Sequence, residues 1–234
     1  MQSGSAIFYL LKKTLRGTVS LDVFDVEFPN SSDVEKIESF SIDEQKSLEH
    51  SAKASDDINY IGITLCLYIG IRIGELCGLL WKDVDFENQS IHVRRTIQRI
   101  KSTKSDSKTE ITSLEYLGDT PERIIPLPQF ILSLLEEHQS NSANDYIISR
   151  SGKPIEPRNM QYRFKQLLKN ANVSSKGFHA TRHTFAIRAL ENGFDIKTLS
   201  EILGHSSPVV TLKSYSHVLS ENKRQSMESL IALL

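Results

Sequence analysis

The hydrophobic pattern of this chain changes period in the middle and then changes back. Ser41-Ile42-Asp43-Glu44 is a capping box that opens a helix, and Ile58 to Ile69 and Ile73 to Leu80 read as further helical runs. Then Ile91, Val93 and Ile97 alternate with His92, Arg94, Thr96 and Gln98, the period of a strand. Ile111 to Leu117 supplies a partner arm, and Ile124-Ile125-Pro126-Leu127 a third strand ended by its proline. From Gln129 the helical signals return. They include 159–169 with Tyr162, Phe164, Leu167 and Leu168 inward, and Ala180 to Asn192 stopped by Gly193. Ile196 to Leu203 is stopped by Gly204, and Ser207-Pro208 starts another helix. Such a chain is mainly α with a small antiparallel β-sheet, an α+β fold. Residues 1–40, with Pro29-Asn30-Ser31-Ser32, read as an N-terminal stub and linker, and 41–234 as the main domain.

Composition narrows the class. A chain of 234 residues holds one or two domains, and 39% hydrophobic with 24% charged residues excludes disorder. The longest apolar stretch, Ile58 to Ile71, contains Asn59 and is too short for a bilayer. With no signal peptide at the N-terminus, a cytoplasmic protein is expected. Cys66 and Cys77 cannot build a disulfide framework; on one continuous helix they would share a face as buried, reduced thiols. The net charge of −1 argues against a nucleic-acid partner only until it is divided. Residues 1–60 carry −5, whereas 91–110 carry +4 and 151–234 carry +6. The positive charge thus falls on the expected hairpin and the C-terminal third, as a phosphate-facing surface requires.

Three clusters carry chemistry. In Gly70-Ile71-Arg72-Ile73-Gly74-Glu75-Leu76, an arginine follows an apolar helix and Glu75 can brace it from the same face. In His179-Ala180-Thr181-Arg182-His183-Thr184-Phe185, His179 and Arg182 project together from a helix start, which itself favours an anion. In Leu203-Gly204-His205-Ser206-Ser207, a histidine precedes Tyr215 by ten residues. Taken singly, each has a plain structural role: an ion pair, a cap, a half-buried tyrosine. Taken together, two arginines, the histidines and a tyrosine suit a metal-free phosphate site.

The three clusters, in this order and spacing, resemble the boxes of the tyrosine recombinases, phage and conjugative-transposon integrases above all. The likeness runs from Ser41 to Val218, ending in Thr-Leu-Lys-Ser-Tyr-Ser-His-Val. The resemblance implies a site-specific recombinase that integrates or excises a mobile element through a 3′-phosphotyrosyl intermediate. Tyr215 would be the nucleophile, and Arg72 and Arg182 the clamp on the non-bridging oxygens. His205 would bond the phosphate and His179 handle the tyrosine proton, with Glu75 and His183 in support. No metal or cofactor is implied. The implied partners are double-stranded attachment sites, further copies of the chain in a tetramer, and an excision accessory protein. On the hairpin, Arg94, Arg95, Arg99 and Lys101 are the expected DNA contacts.

Two departures from the family pattern stand out. The family's general-acid lysine lies four or five residues before the motif matched by Glu122 to Leu127, where this chain has Gly118 and Leu117. Lys101, Lys104 and Lys108 are nearby substitutes, and Lys108 is the choice. Loss of the acid would cost roughly 10²–10⁴ in rate. The second departure is size: only residues 1–20 could represent the family's N-terminal DNA-gripping domain, so weak DNA binding is expected. Two alternatives follow: a DNA-binding module that cleaves poorly, or strand relaxation of the type IB topoisomerase kind. The C-terminal stripe Met227, Leu230, Ile231 and Leu234 either packs on its own core or docks on a neighbouring subunit.

Overall fold

A capping box opens the first helix of the computed structural model, which describes residues 37–55, 57–101, 109–115, 122–142, 144–149, 151–216 and 218. The Ser41 hydroxyl accepts from the Glu44 amide at 3.1 Å and the Glu44 carboxylate accepts from the Ser41 amide at 2.9 Å. Helix α1 (Ile42–Ser55) follows, then α2 (Asp57–Ile69), whose Ile61, Ile63, Leu65 and Cys66 are at most 1% exposed. Such a helix, apolar all round, belongs at the centre of the core. It stops at Gly70, which takes φ +65°, and a Cβ there would lie 2.3 Å from the Phe185 ring. Helix α3 (Ile73–Gly78) begins three residues later. Cys66 and Cys77 are both buried, as expected, and lie on the two separate helices that the sequence pattern marks, so they do not share the face of one continuous helix. Burial raises both thiols, Cys77 to about 12.

After a 3₁₀ turn at Trp81–Asp83 come β1 (Val84–Asp85), β2 (Ser90–Val93), β3 (Arg95–Lys101), β4 (Thr109–Glu115) and β5 (Arg123–Pro126). The expected single strand from Ile91 to Ile97 is two. β2 pairs antiparallel with β1 and β5, whereas β3 forms a separate ladder with β4 from Arg95↔Glu115 to Lys101↔Thr109. The break falls at Arg94 for a steric reason. Arg94 and Arg95 both pair with the Asp83 carboxylate. Neighbours in an unbroken strand point to opposite faces and could not share it.

Helices α4 (Gln129–Ser140), α5 (Pro157–Asn170), α6 (His179–Glu191) and α7 (Ile196–Leu203) follow, and α8 spans 208–216. On α5, Met160, Phe164, Leu167 and Leu168 are buried, but Tyr162 is 64% exposed; it is a surface residue, contrary to expectation. Helix α7 starts at Asp195, which accepts from the Thr198 amide, and stops at Gly204 with φ +63°. The larger core gathers α1 to α5, strands β1, β2, β3 and β5, and the start of α6. A second joins Ala186, Ala189 and Leu190 of α6 to Leu199, Leu203, Tyr215 and Val218. Phe40, on the linker side of the expected boundary at 41, is core: it is 1% exposed and its amide donates to Thr184. Residues 1–36 and the C-terminal stripe lie outside the described residues.

Candidate functional site

The break at Gly70 places Arg72 at the N-cap of α3, one turn before Glu75. Glu75 is fully buried, and its carboxylate accepts from the Arg72 amide at 2.8 Å and Arg72 Nη1 at 3.0 Å. It also accepts from both terminal nitrogens of Arg123 on β5, at 3.0 and 2.8 Å. Arg123 Nε donates to the Ile202 carbonyl at 2.6 Å, and Arg72 Nη2 to the Gly204 carbonyl at 3.2 Å. The α7 C-terminus is thereby tied to both arginines. Arg182, on the first turn of α6, is 2% exposed and bridges the Gly70 carbonyl at 2.7 Å and the Leu203 carbonyl at 2.6 Å. Carbonyl dipoles do not neutralise it. Burial, then Arg72, push its pKa down to about 9, so it still carries charge at neutral pH. Three guanidinium groups thus converge around one carboxylate among the described residues. That excess of positive charge, held by fixed forks, is suited to a phosphate.

The histidines and the tyrosine border this cluster. Tyr215 on α8 is 1% exposed, and its hydroxyl lies 2.8 Å from Nδ1 of His183. Burial raises the hydroxyl to about 12, against the pull of Arg182. Burial, His179 and Arg182 lower His183 to about 4, so the pair is a neutral phenol on a neutral imidazole. The His179 ring stands edge-on to His183 with centroids 4.6 Å apart, and packing around it with Arg182 and Arg72 nearby lowers its pKa. His205, straight after Gly204, places Nδ1 2.7 Å from the Thr211 hydroxyl. Burial and the arginines lower it to about 4. A groove of about 550 Å³ opens beside Arg72, His179 and Arg182, with Thr96 and Gln98 of β3 and Gln161 of α5 along its walls. No three of His, Cys, Asp or Glu among the described residues are grouped so as to hold a metal.

Arg72, Glu75, His179, Arg182, His183, His205 and Tyr215, widely spaced in the chain, thus share one neighbourhood. The tyrosine hydroxyl meets His183, where the sequence pointed to His179. The hairpin residues are placed differently. Arg95 is 5% exposed and spent on Asp83 and the Gly78 carbonyl, so it is no surface contact. Arg94 is also paired with Asp83 but keeps a third of its side chain in solvent. Arg99 and Lys101 are on β3, and Lys104 and Lys108 lie outside the described residues. Sequence reasoning missed Arg123, although a signal was present. Strand alternation puts Arg123 on the inward face with Ile125 and leaves Ile124 outward, 65% exposed, and an inward arginine needs an acid.

Comparison with known proteins fits this geometry. Residues 32–222 match the phage integrase family. A XerC-like tyrosine recombinase of Caldanaerobacter subterraneus is 30% identical over 213 residues, 83% of this chain and 54% of that protein. The tyrosine recombinase XerA of Thermococcus onnurineus is 31% identical over 173 residues, 71% of this chain and 53% of that protein. The chain spans about half the length of the curated relatives it matches. Among solved structures, a XerA recombinase is 26% identical with a TM-score of 0.63, covering 96% of this chain and 77% of that one. The Tn1549 transposon integrase in complex with transposon right-end DNA shares the fold, with a TM-score of 0.71 at 23% identity over 97% of this chain and 77% of that one. None of the described helices is long and apolar enough to cross a membrane.

Proposed function

The chain belongs to the phage integrase family, and from that premise we propose that it is a site-specific DNA recombinase working through a 3′-phosphotyrosyl intermediate. The observation that carries this reading is the Tyr215 hydroxyl on His183, next to a buried arginine cluster with excess positive charge. Arg72 and Arg182 hold the non-bridging oxygens of the scissile phosphodiester and stabilise the charge that builds there. The Tyr215 oxygen attacks phosphorus as its proton passes to His183, with His179 behind. The bond from phosphorus to the 5′-oxygen breaks, leaving DNA on Tyr215 and a 5′-hydroxyl on the other side. Lys108 supplies the proton to that leaving oxygen. A 5′-hydroxyl of a second strand reverses the attack, so the ester energy is conserved and no nucleotide cofactor is consumed. Two such exchanges in a tetramer on paired attachment sites integrate or excise a mobile element, aided by an accessory protein. Arg94, Arg99 and Lys101 are the proposed contacts to the duplex. The residues before Phe40 serve as an arm, and those from Phe40 onward as the catalytic domain.

The Gly118 and Leu117 at the family's lysine position favour a second reading, a DNA-binding module of the same fold that cleaves poorly. A library of nicked duplexes with randomised arms separates the two. Cleavage beside a nick lets the short product diffuse away and traps the covalent complex. Wild type with chelator present is expected to yield a DNA adduct on a denaturing gel; binding without adduct selects the second reading.

A further inference from the structure

We infer that the Thr211 hydroxyl fixes His205 as the tautomer carrying its hydrogen on Nε2, which makes the ring a hydrogen-bond donor to an anion. The inference rests on the phosphate-site reading above. Thr211 is fully buried, and its Oγ1 lies 2.7 Å from His205 Nδ1. Two arrangements satisfy that distance. Either the hydroxyl donates to a bare Nδ1, or Nδ1–H donates to the hydroxyl oxygen.

The surroundings decide between them. Thr181 and Thr184, buried on α6, give their hydroxyl hydrogens to the carbonyls of Phe178 and Ala180. Among the described residues, the Thr211 hydroxyl has His205 as its partner and no carbonyl. Were Nδ1 protonated, the Thr211 hydrogen would be a buried donor without an acceptor, the costlier state. Thr211 therefore donates, Nδ1 is bare, and the one ring hydrogen sits on Nε2. Only one hydrogen is in question, because burial and the facing Arg182, Arg72 and Arg123 keep the ring neutral at pH 7.

The functional consequence follows from sign. A neutral imidazole with a bare Nε2 would point a lone pair at a phosphate oxygen; with Nε2–H it donates to that oxygen. Arg72 reaches the Gly204 carbonyl just before His205, so the guanidinium and the ring act on the same neighbourhood. Thr211 is in this account a positioning residue: it never meets the phosphate and acts through the nitrogen opposite.

The test uses the whole chain labelled with ¹⁵N-histidine. Long-range proton–nitrogen spectra report which ring nitrogen is protonated, with His205→Gln identifying the signal. Wild type and Thr211→Ser are expected to show Nε2–H alone, and inorganic phosphate is expected to shift that resonance. Thr211→Val, nearly isosteric, is expected to mix the tautomers and slow adduct formation about ten-fold, the loss of one hydrogen bond, with serine restoring the rate. Nδ1–H in the wild type overturns the inference, as does a folded Thr211→Val with an unchanged tautomer and rate. If the tautomer follows Thr211 as described and wild type forms no adduct, strand cleavage fails while the tautomer assignment stands.

Discussion

Glu75→Gln tests the electrostatic centre of the site without changing its shape. Among the described residues, Arg123 donates two hydrogen bonds to the carboxylate and Arg72 another two. The Arg123 side chain is 7% exposed and that of Glu75 0%, so this pair is desolvated and removing one charge strands the other. Breaking a buried pair from one side costs about 3–5 kcal/mol. The Arg72 side chain is 36% exposed, so its share adds less than about 1 kcal/mol. Glutamine also replaces one acceptor with an amide that must face an arginine N–H. For a domain of this size, about 2–4 °C is lost per kcal/mol, so a total of about 3–6 kcal/mol should lower Tm by roughly 6–24 °C. Urea unfolding should show a lower midpoint with an unchanged slope. The double variant Glu75→Leu/Arg123→Met leaves no orphan charge between the pair and should recover part of the loss. A Glu75→Gln protein within about 1 kcal/mol of wild type, or a double variant no better than the single, refutes this reasoning.

Three other outcomes follow from the same geometry. His183 and His205 titrate near 4 when folded, below the ordinary 6.5, so the unfolded chain binds protons the native state refuses. Their stabilisation is complete above pH 6.5 and is lost as pH falls through 6.5 towards 4; melting curves should show it, and His205→Gln should flatten the fall. Arg182→Lys cannot bridge the Gly70 and Leu203 carbonyls at once, and should lose about 1.5–3 kcal/mol in urea titration. Gly204→Ala takes a left-handed backbone penalty of about 1–2 kcal/mol and also meets Arg123 at 2.8 Å. Gly193→Ala, at φ +85° with open space around it, bears the backbone penalty alone, so unfolding midpoints should place Gly204→Ala below it.

Local rules made much of this legible. The Ser41 capping box, the α2 run and the stops at Gly193 and Gly204 each follow from a few adjacent residues, and α1, α2, α6 and α7 form accordingly. Where a distant partner decides, the pattern alone fell short. Alternation from Ile91 to Ile97 reads as one strand because nothing local says that Asp83 draws in two successive arginines. Tyr162 falls at an apolar spacing on α5, yet the inward stripe is filled by Met160, Phe164, Leu167 and Leu168. At the site, the chemical types of Arg72, Arg182, His205 and Tyr215 were legible. The choice of His183 as the tyrosine's neighbour was not, because it depends on how α8 packs on α6.

The most direct test of the central claim is the identity of the residue that carries DNA. The adduct from the nicked library, digested with nuclease and protease, should show by mass spectrometry a nucleotide linked through its 3′-phosphate to the Tyr215 peptide. Tyr215→Phe, which keeps the ring and loses only the bond to His183, should fold and form no adduct. A nucleotide on any other residue, or an adduct that persists in Tyr215→Phe, contradicts the account.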